Sequence, residues 1–74
     1  MKSEDHIAIE RAFEHLAPDA DQVQQMVLIR GAAKALAHLI IENCPKSADR
    51  STAIRRVREA VMAANAAIVL KGLF

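Results

Sequence analysis

The stretch LIIENCPKSADRSTAI (residues 39–54) decides the fold, because it holds a short break between two long helical segments. Cys44-Pro45 ends the first segment, since the residue before a proline avoids the helical region of backbone space. On the other side of the break, Ser47 to Ser51 offer capping residues for the second segment. The stretch therefore predicts two long helices, at about residues 21–43 and 49–71, joined by a short loop.

Both long segments carry an apolar stripe with the three-four spacing of a helix face. The stripes consist of Met26, Ile29, Ala33, Leu36 and Ile40 in the first segment and of Ile54, Val57, Val61, Ala64 and Ile68 in the second. Two matched stripes joined by a short loop predict an antiparallel helical hairpin. Second stripes rich in alanine and leucine lie beside the first ones. One hairpin cannot bury all of them, so we expect the chain to form a homo-oligomer.

Composition predicts an all-α fold in a single domain, residues 1–74. The chain has two glycines, two prolines and 3% aromatic residues, too few for the turns and packing of a small β protein. A single cysteine excludes an intrachain disulfide. No signal peptide and no membrane span is visible, so we expect a soluble intracellular protein. A short helix over about residues 4–16, capped by Ser3 and ended before Pro18, should precede the hairpin.

Charge is distributed unevenly along the chain. Residues 1–22 sum to −4 and the remainder to +5, for a net charge of +1. This asymmetry favours packing between copies or an anionic ligand held by the basic part. Arg30 and Lys34 lie one helical turn apart, and Arg50 lies where the last helix begins, a natural place for phosphate. The nearby Arg55, Arg56 and Arg58 are interpreted as an exposed, solvated face.

Other reactive residues give little sign of chemistry. The three histidines and Cys44 lack the spacing of metal ligands, and no nucleophile and base form a recognisable set. We therefore expect no metal, no cofactor and no enzymatic activity. Asn65, in the middle of the last helix, is interpreted as a buried hydrogen-bonding residue that fixes the register of the hairpin.

Four motifs follow one another from about Ile9 to Gly72. They are Phe13-Glu14-His15 ahead of Pro18, RGAAKALA (residues 30–37), Cys44-Pro45 with SADRS (residues 47–51), and AVMAANAAI (residues 60–68). In order and spacing they resemble the phage anti-CBASS sponge family, whose hairpin domain is shared with the Thoeris anti-defence sponges.

The resemblance implies a helical homohexamer that binds cyclic oligonucleotide second messengers in the cytoplasm of the infected bacterium. Sponges of this family keep these ligands, such as cyclic GMP–AMP and cyclic trinucleotides, from immune effectors without cleaving them. Members hold cyclic dinucleotides between protomers through a stacking residue and a basic residue, which match His15 and Arg30; Lys34 joins that site. A separate trinucleotide pocket matches Arg50, with Ser51 beside it. Neither a membrane nor duplex nucleic acid is expected as a partner.

The hairpin itself separates the two arginines. Arg50 lies at the loop end, and Arg30 lies some eleven or more residues along the other arm, so roughly 15–20 Å lies between them at 1.5 Å per residue. Two kinds of pocket are therefore expected. Two other functions stay open: a nucleic-acid-binding helical module, which the arginines of the last helix would serve, and a protein–protein adaptor.

Overall fold

The computed structural model describes residues 3–13 and 17–71, and every regular element in that part of the chain is an α-helix. Three helices follow in order, α1 (Ser3–Ala12), α2 (Ala20–Asn43) and α3 (Ala48–Leu70). The predicted all-α class is therefore confirmed. The first helix ends earlier than the predicted limit near residue 16: Phe13 already lies in a turn, and residues 14–16 lie outside the described residues.

Reciprocal hydrogen bonds of a capping box fix the start of α2. Asp19 Oδ1 accepts from the backbone N–H of Gln22 at 2.9 Å, and Gln22 Oε1 accepts from the backbone N–H of Asp19 at 3.0 Å. These bonds satisfy two N–H groups that a helix start otherwise leaves without partners. The side chain of Gln22 also reaches across the hairpin, where its Nε2 donates to the carbonyl oxygen of Ile68 at 3.0 Å. One glutamine thus caps α2 and ties it to the end of α3.

The loop between α2 and α3 is held by polar groups of its own. Asn43 Nδ2 donates to the carbonyl oxygen of Leu39 at 2.8 Å, and Cys44 leaves the helix in an extended conformation. Ser47 Oγ accepts from the backbone N–H of Arg50 at 3.1 Å and donates to the carbonyl oxygen of Pro45 at 3.0 Å. Hydrogen bonds within residues 39–50 therefore hold the turn that reverses the direction of the chain.

At its far end α3 stops on Lys71, which adopts the left-handed conformation with φ 53°. The sequence favours Gly72 as the cap of this end, because glycine adopts the left-handed conformation readily, and Gly72 lies outside the described residues. A lysine in this conformation costs more than a glycine would, because its Cβ crowds the backbone.

The antiparallel register of α2 and α3 follows from a reversal between Pro45 and Lys46. Half-buried residues run along the facing sides of both helices. They are Gln22, Met26, Ile29, Ala33, Ala37 and Ile40 on α2 and Arg50, Ala53, Ile54, Val57, Val61, Ala64, Asn65, Ile68, Val69 and Leu70 on α3. The predicted stripes are confirmed except at one position: Leu36 is 48% exposed, and Ala37 takes its place on the facing side.

The hairpin leaves an open structure with no closed core. No described side chain is buried, and large apolar residues such as Phe13 (86% exposed) and Leu28 (73% exposed) face outward. The surface area is 6020 Å², against about 4,500 Å² expected for a folded monomer of this size. The radius of gyration is 16.0 Å, against about 11 Å for a compact domain. Among the described residues, the extensive packing is between α2 and α3, and α1 packs against them much less.

Candidate functional site

A groove of about 410 Å³ runs along one face of the hairpin. Its floor consists of Ala33 and Ala37 from α2 and Ile54, Val57 and Val61 from α3. Alanine side chains end at Cβ, so where they face branched side chains the two helices leave space between them. The same facing residues that hold the hairpin together therefore also shape a shallow apolar cleft.

Long side chains form the rim of this groove, and three of them are cationic. Arg30 and Lys34 stand on α2, whereas Arg58 and Met62 stand on α3. Arg30 and Lys34 share one rim because residues four apart on a helix lie on the same face. None of the three cations has a carboxylate partner among the described residues. The groove thus combines an apolar floor with three positive charges that no described carboxylate neutralises.

Arg58 is exposed, as predicted together with Arg55 and Arg56, but it also stands on the rim of the groove, which the sequence did not predict. Arg56 does behave as predicted, because its Nη1 contacts Glu59 Oε2 at 2.8 Å on the exposed side of α3. The hairpin register could have distinguished Arg58. A reversal between Pro45 and Lys46 places residue 58 opposite residues 33 and 34, beside the two cations of α2.

A second, smaller concavity of about 240 Å³ lies at the loop end. Ile41, Arg50, Ser51 and Ile54 line it, so Arg50 and Ser51 both face this concavity. The guanidinium of Arg50 is held in place by one bond, from Nη1 to the carbonyl oxygen of Cys44 at 3.3 Å. It pairs with neither Glu42 nor Asp49. The guanidinium of Arg50 and the first turn of α3 would both attract an anion in this concavity.

The two concavities share Ile54 as a wall, but their arginines lie at different positions along the hairpin. Ile41 lines the smaller one with Arg50, and eleven residues of continuous helix separate it from Arg30. At 1.5 Å per residue that is about 16 Å, close to the separation predicted from sequence. Arg30 and Arg50 therefore line different concavities, at opposite ends of this stretch of the hairpin.

The hairpin matches a known protein family over most of its length. The family model for the Acb2/Tad1 hairpin domain matches residues 5–69, which include both concavities and the whole of the turn. The chain belongs to the Acb2/Tad1 hairpin family. These are the sponges that act against CBASS and Thoeris defence, so the resemblance read from the motifs is confirmed. No curated protein and no solved structure matches the chain significantly.

Membership in the Acb2/Tad1 family indicates a sponge-type anti-defence protein, and sponges of this family bind ligands rather than transforming them. Of the residues predicted to form its dinucleotide site, Arg30 and Lys34 line the same groove. His15, the predicted stacking residue, lies outside the described residues. Within residues 3–13 and 17–71, no three His, Cys, Asp or Glu side chains are grouped as metal ligands would be.

Asn65 in the sponge hairpin differs from its predicted role in one respect. Its Oδ1 is buried, yet it has no hydrogen-bond partner in the part of the chain that the structure describes. Since Oδ1 accepts no bond from the described residues, Asn65 does not fix the register of the hairpin through this atom. An unpaired buried acceptor is also costly in free energy. The cross-hairpin bond of Gln22 makes that link instead.

None of the helices described here has the length and apolarity that a transmembrane span requires.

Proposed function

We propose that this sponge binds cyclic oligonucleotide second messengers and holds them without cleavage, so that they do not activate CBASS effectors. It would act in the cytoplasm of the infected bacterium. The groove carries this proposal, because three cations without carboxylate partners among residues 3–13 and 17–71 surround its apolar floor. A ligand that fits must be anionic and must also present apolar faces. Cyclic dinucleotides have both properties, with two phosphodiesters and two flat bases.

In this proposal the cations of α2 bind phosphate. Arg30 offers a planar fork of N–H donors that suits phosphate oxygens, and Lys34 adds a second positive charge one turn away. His15 would stack on a base, as the corresponding residue does in the family. An imidazole presents less area than a tyrosine ring, so we expect stacking to contribute less here than the phosphate contacts.

Arg50 and Ser51 would form a second pocket, for cyclic trinucleotides. The anchored guanidinium of Arg50 and the first turn of α3 both favour an anion. The concavity in one protomer is small, about 240 Å³. A trinucleotide would therefore need walls from several copies of the chain, which is consistent with a pocket at the centre of a symmetric assembly.

We further propose a homo-oligomer, a hexamer by the family resemblance. Two features support self-association: no described side chain is buried, and the surface exceeds that of a compact monomer by about 1,500 Å². Helix α1 supports it as well. It has ten residues, and helices that short are marginal in water without tertiary packing. Ile7, at 59% exposure, is among the apolar side chains that another copy would cover.

Calorimetric titration of the full chain tests this proposal. The panel comprises cyclic di-GMP, cyclic di-AMP, cyclic GMP–AMP, cyclic tri-AMP and a short DNA duplex. We expect saturable binding of at least one cyclic dinucleotide and one trinucleotide, and chromatography of the heat-released ligand should recover it intact. Binding of the duplex alone would instead favour the nucleic-acid-binding module. No binding to any of the five would favour a protein–protein adaptor.

A further inference from the structure

The two cations of α2 occupy one side of the groove, whereas Arg58 occupies the other. Arg30 and Lys34 are four residues apart on α2, and Arg58 projects from α3 across the floor formed by Ala33 and Val57. Packed helices have axes about 8–10 Å apart. A ligand lying along the floor would therefore have positive charge on both of its long sides.

The covalent structure of a cyclic dinucleotide matches this arrangement. Its two phosphodiesters lie on opposite sides of the macrocycle, so a single row of cations along α2 contacts one of them and leaves the other unpaired beside the apolar floor of the cleft. An uncompensated charge placed in such a cleft is costly. A cation on the opposite helix removes that cost. We propose that Arg58 is a third binding residue of the dinucleotide groove and contacts the phosphate that faces α3. This inference rests on the proposed function.

Neighbouring arginines on α3 show that Arg58 is placed differently from them. Arg56 is engaged with Glu59, as an exposed pair with 69% and 48% of the two side chains accessible. Arg55 is exposed, lines none of the concavities described above, and has no partner among the described residues. Of these three arginines, Arg58 is the one that combines a free guanidinium with a position on the rim. This difference supplies a matched control within the same helix.

A second copy of the chain is the competing occupant of the groove. Helix α1 carries Glu4, Asp5 and Glu10, and its acidic side chains would complement the three cations. Such a contact would use Arg58 for assembly rather than for ligand binding. The two roles differ in their effect on molar mass, because losing an assembly contact changes the mass in solution and losing a ligand contact does not.

The test compares Arg58→Ala, Arg58→Lys and Arg55→Ala with the wild-type full chain. Calorimetry measures affinity for cyclic GMP–AMP, cyclic di-AMP and cyclic di-GMP, and light scattering after size exclusion measures molar mass. We expect Arg58→Ala to weaken dinucleotide binding by about 10-fold or more, Arg58→Lys to weaken it less, and Arg55→Ala to change it less than about 2-fold. Molar mass should remain the same in all four proteins.

Three outcomes would overturn the inference. Equal affinity of wild type and Arg58→Ala removes Arg58 from the site and leaves the proposed function intact. A lower molar mass of Arg58→Ala assigns the residue to contact between copies. If the wild type binds none of the three cyclic dinucleotides, the dinucleotide part of the proposed function fails, and the role of Arg58 fails with it.

Discussion

Replacing Arg30 and Arg50 one at a time should separate two ligand classes. The arginines belong to different concavities, and about 16 Å of helix α2 lies between Arg30 and the wall that faces Arg50. We therefore expect Arg30→Ala to weaken cyclic dinucleotide binding and spare cyclic trinucleotides, and Arg50→Ala to do the reverse. A lost charge-assisted contact to phosphate costs about 1.5–3 kcal/mol, which corresponds to about 10- to 150-fold in affinity.

Arg50 needs a control that Arg30 does not. Its side chain donates to the carbonyl oxygen of Cys44 at 3.3 Å, so Arg50→Ala also removes a bond that helps to hold the loop. The exposed position of this bond limits the loss of folding free energy to about 0.5–1.5 kcal/mol. The variant Arg50→Lys keeps the charge without the planar fork of donors. Its affinity for the trinucleotide should fall between those of wild type and Arg50→Ala.

The assay is calorimetric titration of each variant with cyclic GMP–AMP and with cyclic tri-AMP, after circular dichroism has shown wild-type helicity. Protomer concentration is kept constant throughout, because the apparent stability of an oligomer depends on it. Two separate pockets predict a crossed pattern, with each variant impaired for one ligand. If both variants lose both ligands equally, the reasoning from separation along the hairpin is refuted. If neither variant loses affinity, neither arginine contacts ligand.

Substitutions at three further positions test the hairpin itself, each by thermal unfolding at fixed protomer concentration. Gln22→Ala should lower the free energy of unfolding by about 1–2 kcal/mol, because it removes half of the capping box and the bond to Ile68. Gln22→Glu keeps the oxygen that accepts in the cap and should lose less. Equal melting temperatures of wild type and both variants would contradict both roles of Gln22. Gly31→Ala should raise stability by about 0.5–1 kcal/mol, since a Cβ there meets nothing within 4 Å, and a drop would reveal a neighbour from another copy. Glu59→Gln should cost no more than about 0.5 kcal/mol because its pair with Arg56 is exposed, and a larger loss would show that the pair supports packing.

Local chemistry made the turn and the two long helices predictable from sequence. Pro45 cannot continue a helix and restricts the residue before it, and Ser47 can cap the next helix through its hydroxyl. Both effects act within a few residues, so they do not depend on what packs nearby. The structure shows the cap in place, with the hydroxyl oxygen accepting from the backbone N–H of Arg50.

Features that depend on register were harder to predict. A three-four spacing allows either Leu36 or Ala37 on the facing side of α2. Between Ala33 and Ile40, a step of three followed by four gives Leu36, and a step of four followed by three gives Ala37. Leu36 was predicted to face α3, yet Ala37 lies on the facing side and Leu36 is 48% exposed. The rim position of Arg58 was not predicted for the same reason. That position follows from which residues face each other across the hairpin, and sequence spacing along one helix does not contain that information.

If the chain assembles and binds ligand as proposed, both events compensate for the same lack of packing in the single hairpin. A hairpin whose facing residues include Ala33 and Ala37 packs closely but leaves a groove, and it buries no described side chain. Its cations repel one another until an anion lies between them, and its apolar faces stay in water until another surface covers them. Binding of a ligand to the assembled form raises that form's apparent stability in proportion to RT ln(1 + [L]/Kd). We therefore expect ligand and assembly to stabilise each other, because each supplies contacts that the isolated hairpin lacks.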